Sequence, residues 1–132
     1  MTIVVTDASA IVELLRRDGS GDLVAEHLRG STAVAPAHLD AEVLSALGRL
    51  ERGGFATNQA VEKSLAQLVR LPIERIPIRP LLARAWQLRQ NIALRDGVYV
   101  ACAEHFEATL LTLNARLARA CPHFVELITE TR

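Results

Sequence analysis

The sequence predicts an α/β protein with a parallel sheet of about four to five strands, covered by helices on both faces. Two patterns predict it. The runs Thr2–Val5 and Thr109–Leu113 are β-branched or apolar at every position, as strands buried on both sides of a parallel sheet are. Between such runs lie segments with apolar residues at helical spacing, and strands alternating with helices imply parallel crossovers. Length agrees: the chain has 132 residues, 50% of them hydrophobic, and a domain of that size buries about two-thirds of the surface its unfolded form exposes. Residues 1–132 are expected to form a single domain.

The elements follow in order. MTIVVTDASAIVELLR reads as strand, acidic corner and helix: Thr2–Val5, then Asp7, then Ala8, Ile11, Val12 and Leu15 on one helix face. Asp18-Gly19-Ser20-Gly21 is a turn, and Leu23, Val24 and Leu28 mark a short second helix ending at Gly30. Ser31–Ala35 is a brief strand closed by Pro36. Leu39, Val43, Ala46, Leu47 and Leu50 give an amphipathic third helix, stopped by Gly53-Gly54. Thr57 or Asn58 caps a fourth, with Val61, Leu65 and Leu68 as its stripe and Pro72 past its end. Ile73–Ile78 is a strand, and Leu81, Ala85, Leu88 and Ile92 form a helix. Asp96 opens the next, whose buried face is Val98, Ala101, Cys102 and Phe106. After the strand Thr109–Leu113, Asn114 caps a short Arg/Ala helix, and Phe124–Ile128 is a last strand.

Net charge is zero, with 15 basic and 15 acidic residues, so no general electrostatic case for nucleic-acid binding exists. Lys63 is the single lysine, and the other basic residues are arginine, the side chain suited to forked phosphate contacts. Coding bias toward Ala and Arg explains the same skew. The apolar runs are far shorter than the roughly 18 residues that span a bilayer, and no basic leader with an apolar stretch opens the sequence. A cytoplasmic protein without membrane contact is expected. Cys102 and Cys121 have neither metal nor redox spacing and read as reduced structural thiols.

Four polar positions carry the chemistry. Asp7 follows the first interior strand and Asn114 the other; Glu42 lies at the edge of the third helix's apolar stripe, and Asp96 begins a later helix. Asp7 and Asn114 are also good helix N-caps, so cap and site are both open for each. In open α/β sheets ligands bind at the carboxyl ends of the strands. If the two strands are neighbours, Glu42 and Asp96 need only approach that edge to close a cluster. Gathered carboxylates raise one another's pKa, and a divalent cation relieves the conflict. Oxygen ligands without a His/Cys set select Mg²⁺ or Mn²⁺ over zinc, and such an ion supports nuclease chemistry.

In VVTDASAIVELL, AEVLSAL, LRDGVYVACAE and TLLTLNARLARA the chain resembles the PIN-domain ribonucleases, most closely the VapC-type toxins of bacterial toxin-antitoxin pairs. The resemblance runs over essentially the whole length. It implies a PIN-like fold and a metal-dependent endoribonuclease in which Asp7, Glu42 and Asp96 bind Mg²⁺ or Mn²⁺ and Asn114 helps position water. Ser9 and Thr112 match the family's hydroxyl positions. It also implies an RNA substrate, a homodimer and a small VapB-type antitoxin that blocks the site. One departure stands out: Asn114 occupies the place of the family's usual fourth acid. An amide brings no charge, so metal binding should be weaker and a second ion is disfavoured.

Other polar residues are set aside. His38, Asp40 and Glu42 alternate like a strand, but the apolar period says helix, which turns Asp40 away from Glu42. His27, His105 and His123 lack partners at ligand spacing, Trp86 and Tyr99 read as packing, and Glu104 and Glu107 as surface. Arg95 faces phosphate or offsets the neighbouring carboxylates. An alternative function is a catalytically weak PIN-like module that mainly binds antitoxin, with Asn114 marking lost activity. A phosphoacceptor receiver would want paired acids after the first strand and a lysine after a late one, which Thr6-Asp7 and the lone Lys63 do not supply.

Overall fold

The computed structural model describes residues 2–16, 19–121 and 125–127. The chain runs β1 (Thr2–Thr6), α1 (Ala8–Arg16), α2 (Gly19–Leu28), β2 (Ser31–Pro36), α3 (Leu39–Arg52), α4 (Asn58–Leu68) and β3 (Ile73–Ile76). A 3-10 turn at Arg79–Leu81 leads into α5 (Leu82–Gln87), followed by α6 (Leu94–Phe106), β4 (Thr109–Thr112), α7 (Ala115–Ala120) and β5 (Val125–Leu127). The strands form one five-stranded sheet in the order β3-β2-β1-β4-β5, parallel throughout.

That order records how the chain travels. From β1 it moves outward to β2 and β3, then returns past β1 to lay down β4 and β5. Right-handed crossovers place α1–α4 over one face and α5–α7 over the other; accordingly α1 packs on α2, α3 and α4, and α5 on α6. Both faces of the central strands are therefore covered: Val5, Val34 and Leu110 are buried, as are the helix residues Ile11, Leu39, Val43 and Val100. Among the described residues no helix is long and apolar enough to cross a membrane.

The element order is as the sequence predicts; several boundaries differ for physical reasons. Gly19–Gly21, read as turn, begin α2, because Gly21 lets that helix approach α1 closely: a Cβ there would lie 2.2 Å from the Glu13 carbonyl oxygen. Asp18 lies outside the described residues. β3 ends at Ile76, before Pro77, which has no N–H for the ladder. The helix expected through Ile92 stops at Gln87, and Leu88 and Ile92 reach the core from the turn that follows. α6 starts at Leu94, so Asp96 sits in its first turn rather than at its opening, and its buried residues are the whole stretch Gly97–Ala103 rather than one stripe. β5 covers the middle of the expected last strand, whose ends, Phe124 and Ile128, lie outside the described residues.

Cys102 is buried and Cys121 half-buried, both free, and burial pushes the Cys102 thiol up to about 11, which suits a structural thiol. Asp40 does turn away from Glu42: Arg75 of β3 grips its two oxygens at 2.9 and 3.3 Å and also donates to the Leu68, Leu71 and Ile73 carbonyls. One guanidinium thus ties the end of α4 and the start of α3 to the sheet edge.

Gly21 gives a signed test. In an open helix, alanine for glycine would stabilise by about 1 kcal/mol. Here the clash with backbone dominates, and overpacking of this kind costs about 1–3 kcal/mol. Gly21→Ala is expected to lower the melting temperature; an increase would refute the close approach of α2 to α1.

Candidate functional site

The two interior strands, β1 and β4, are neighbours, and between them the chain reverses its direction of travel across the sheet. Such a switch point leaves a crevice at the carboxyl ends of the strands, because the adjoining helices depart to opposite faces. Asp7 follows β1 and Asn114 follows β4 at that crevice. A cleft of about 750 Å³ opens there, and Asp7, Glu42, Asp96 and Asn114 all line it. Glu42 comes from the first turn of α3 and Asp96 from the first turn of α6.

Asp7 is the most constrained of the four, at 4% exposure. Its Oδ1 accepts from Ser9 Oγ at 2.7 Å and from the Ala10 amide at 3.0 Å; its Oδ2 accepts from Thr112 Oγ1. Both hydroxyls are themselves fixed, Ser9 Oγ by the Leu113 amide and Thr112 Oγ1 by the Asn114 amide. The Ala10 bond is an N-cap of α1, so Asp7 is cap and cleft residue together. Burial raises its pKa above the ordinary carboxylate value, against the three hydrogen bonds, and the nearby Asp96 charge pushes the same way.

Glu42 is held from α6. Tyr99 Oη donates to its Oε1 at 2.7 Å, Arg95 Nε lies 3.6 Å from its Oε2, and His38 Nε2 lies 3.8 Å from its Oε1. The His38 ring stacks on Tyr99 at 4.6 Å, and its Nε2 donates to the Arg95 carbonyl, so the start of α3 is clasped to the start of α6. His38 Nδ1 is buried without a hydrogen-bond partner among the described residues. Burial and the Glu42 phenolic contact hold the Tyr99 hydroxyl well above its usual range. Asp96 is half-buried, with its pKa raised by burial and then by the Glu42 charge. Asn114 caps α7, its Oδ1 accepting from the Arg116 and Leu117 amides at 3.0 and 3.3 Å.

This donor chemistry fits a hard divalent cation. Asp7, Asp96 and Glu42 form a chain of mutually repelling carboxylates; among the described residues no thiol lines the cleft, and the Nε2 of its imidazole, His38, is engaged with the Arg95 carbonyl. Among the described residues no three His, Cys, Asp or Glu side chains converge closely enough to enclose an ion by themselves. An ion held here would take part of its shell from water, as Mg²⁺ commonly does.

His38 and Tyr99 were not singled out from the sequence. The alternating pattern gives His38 no role and the helical spacing reads Tyr99 as packing; Tyr99 does pack, at 1% exposure, while its hydroxyl serves Glu42. The one available signal was spacing: His38 and Glu42 are four apart on one helix, as are Arg95 and Tyr99. The residues set aside elsewhere lie off the cleft. His27 bonds the Leu23 carbonyl and Glu126, His105 packs on Phe106, and Glu104 is gripped by Arg84 at 2.7 and 3.0 Å. Trp86, read as packing, is 56% exposed with Arg89 over its ring. His123 is outside the described residues.

The order of the sheet and an acidic cleft at its switch point define the class: an α/β protein whose candidate ligand site lies at the carboxyl ends of its strands. A family model described as PIN domain matches residues 4–121, and the chain belongs to the PIN-domain family. Within it the chain is similar to Ribonuclease VapC3 of Mycobacterium tuberculosis, 46% identical over 120 residues covering 90% of this chain and 88% of that protein. It is 38% identical to Ribonuclease VapC12 of the same organism over 125 residues, covering 95% and 97%. Among solved structures, VapBC2 from Rickettsia felis bound to a promoter DNA fragment superposes with a TM-score of 0.69 at 15% identity, covering 97% of this chain and 100% of that one. Mycobacterium tuberculosis VapC20, described as a sarcin-ricin loop cleaving toxin, gives 0.68 at 13% identity, covering 96% and 99%. At these identities the structural likeness speaks for the fold.

The buried charge of Asp7 has a thermodynamic consequence. An asparagine keeps the acceptor for Ser9 and Ala10 and turns an amide donor toward Thr112 Oγ1, while removing the charge that burial and Asp96 oppose. In metal-free buffer Asp7→Asn is expected to melt higher than wild type at neutral pH. Because the native pKa is raised above 3.8, the ionised carboxylate costs stability above the native value, and the cost disappears as pH falls toward 3.8. The advantage of the variant should therefore shrink on acidification; a constant difference in melting temperature across that range would contradict it.

Proposed function

We propose that the chain is a Mg²⁺- or Mn²⁺-dependent endoribonuclease that hydrolyses RNA phosphodiester bonds in the cytoplasm as the toxin of a toxin-antitoxin pair. The observation that carries this reading is the meeting of Asp7, Glu42, Asp96 and Asn114, from four separate segments, in one cleft at the switch point. Support comes from the relatives named Ribonuclease VapC. A VapB-type antitoxin and a second copy of the chain are the proposed protein partners, a reading supported for the antitoxin by the solved VapBC2 assembly.

Asp7, Asp96 and Glu42 would hold the ion, directly or through its waters, with one Glu42 oxygen engaged by Tyr99. When bound, such an ion supplies charge stabilisation at a phosphoryl oxygen and a water of lowered pKa. Ser9 and Thr112 keep the Asp7 carboxylate in one orientation, so no reorganisation is required when substrate arrives. Asn114 has its oxygen committed to two backbone amides, which leaves its Nδ2 to orient water. Arg95, 73% exposed at the rim, faces the incoming phosphate.

A second reading rests on Asn114: a module that binds antitoxin and cuts poorly because the fourth acid is missing. RNA cleavage by antitoxin-free protein across a Mg²⁺ and Mn²⁺ titration separates the two. Metal-dependent cutting is expected, reduced at least about a hundredfold in Asp96→Asn and in Asp7→Ala. Equal silence of wild type and variants on a broad RNA set would transfer the function to binding alone.

Metal affinity is readable without RNA. At a concentration of about a hundred times its Kd, an ion that binds only the folded state adds about 2.7 kcal/mol of stability. Mn²⁺ should raise the wild-type melting temperature, leave Asp96→Asn nearly unmoved, and act at lower concentration on Asn114→Asp. An unshifted titration in Asn114→Asp would reduce Asn114 to its capping role.

A further inference from the structure

We propose that Phe55 is a stacking platform for an unpaired RNA base bound beside the carboxylate cleft. Phe55 is 74% exposed, so core packing does not account for the ring. It is nevertheless held in place. The end of α3 closes with the Gly54 amide on the Glu51 carbonyl at 3.1 Å and the Phe55 amide on the Leu50 carbonyl at 2.8 Å, with Gly54 at φ +82. This paired closure ends a helix through a left-handed residue, which glycine adopts freely. The ring then lies over Gly53, where a Cβ would meet its carbons at 3.0 and 3.1 Å. Helix end and both glycines thus present an aromatic face to solvent at little further entropic cost.

Its position gives the face a purpose. Phe55 lines the carboxylate cleft and also an adjoining cavity of about 480 Å³ between α1, α3 and α4, and the two share Arg16, Leu50 and Phe55. A groove therefore runs from Asp7 and Asp96 past this ring. Apart from the carboxylates at its head, the charged side chains along it among the described residues are Arg16, Arg49, Arg95 and Lys63 against Glu13, which lies 3.9 Å from Arg16. Arg49, four residues before Gly53, is exposed and has no ion-pair partner among the described residues. Cations beside an aromatic face match a single strand, whose phosphates need charge and whose splayed bases need a π-surface. Bases paired in a duplex are stacked on one another, so an exposed ring suits an unpaired base. The direction of the strand, scissile phosphate at the carboxylates and a flanking base on Phe55, rests on the nuclease reading; the stacking itself does not.

The test is binding of a labelled single-stranded oligoribonucleotide, by fluorescence anisotropy, to the Asp96→Asn protein, which leaves RNA uncut. Adding Phe55→Ala is expected to weaken affinity roughly tenfold; Phe55→Leu should behave like alanine and Phe55→Trp should bind at least as tightly as the parent. Removing the base at the nucleotide that seats on Phe55 should abolish the difference between Phe55 and alanine. With cleavage-competent protein, Phe55→Ala should raise KM and spare kcat. Equal affinities for phenylalanine and alanine, or a loss that persists on abasic RNA, would overturn the proposal. So would a variant that sheds a protein partner while holding RNA unchanged. Base-dependent binding in a protein that never cuts would sustain the platform while the nuclease reading fails.

Discussion

A buried carboxylate at the junction of two strands is the constraint on which the rest depends. Asp7 stands where β1 ends, at 4% exposure, and the groups that make its burial tolerable come from both sides of the switch point: Ser9 and Ala10 from α1, Thr112 from β4. The hydroxyls that serve it are locked in turn by amides of the segment leaving β4. Desolvation still wins over these bonds, since the pKa is raised. The fold therefore carries a local cost at the position where a cation would be most useful, the usual relation between an active site and the stability of its scaffold.

The second organising contact lies across the cleft. α3 and α6 belong to opposite layers, and the Tyr99–Glu42 bond with the His38–Tyr99 stack joins them at the sheet's edge. Without that clasp Glu42, near the edge of its helix's apolar stripe, would be free to extend into solvent, as exposed glutamates do. The clasp spends one carboxylate oxygen to fix the other, and it leaves Asp96 as the acid with the fewest protein partners.

Much of this was legible in the sequence. Asp7 and Asn114 were visible because each follows a run that reads as an interior strand, Glu42 because it lies at the edge of a regular apolar stripe, and Asp96 because it stands near the start of a helix. Whether those four share a cleft depends on strand order, which local periodicity does not encode; it emerges from the return of the chain past β1. Tyr99 and His38 were missed for a related reason. An aromatic at a buried position satisfies the packing explanation completely, and the four-residue spacing from Arg95 does not by itself announce that its hydroxyl points at a carboxylate 57 residues away. Gly21 misled in the opposite sense: glycine beside glycine and serine reads as a turn, whereas here its missing side chain admits the backbone of α1.

The β3 margin of the sheet limits how this molecule can meet others. β3 spans four residues, carries Glu74 and Arg75, and is followed by Pro77. Short, charged or proline-stopped edges offer little free backbone for another strand to extend the ladder, a common protection against aggregation. A chain that met the β3 margin would find little ladder to extend, so recognition there would be written in side chains rather than in shared main-chain hydrogen bonds.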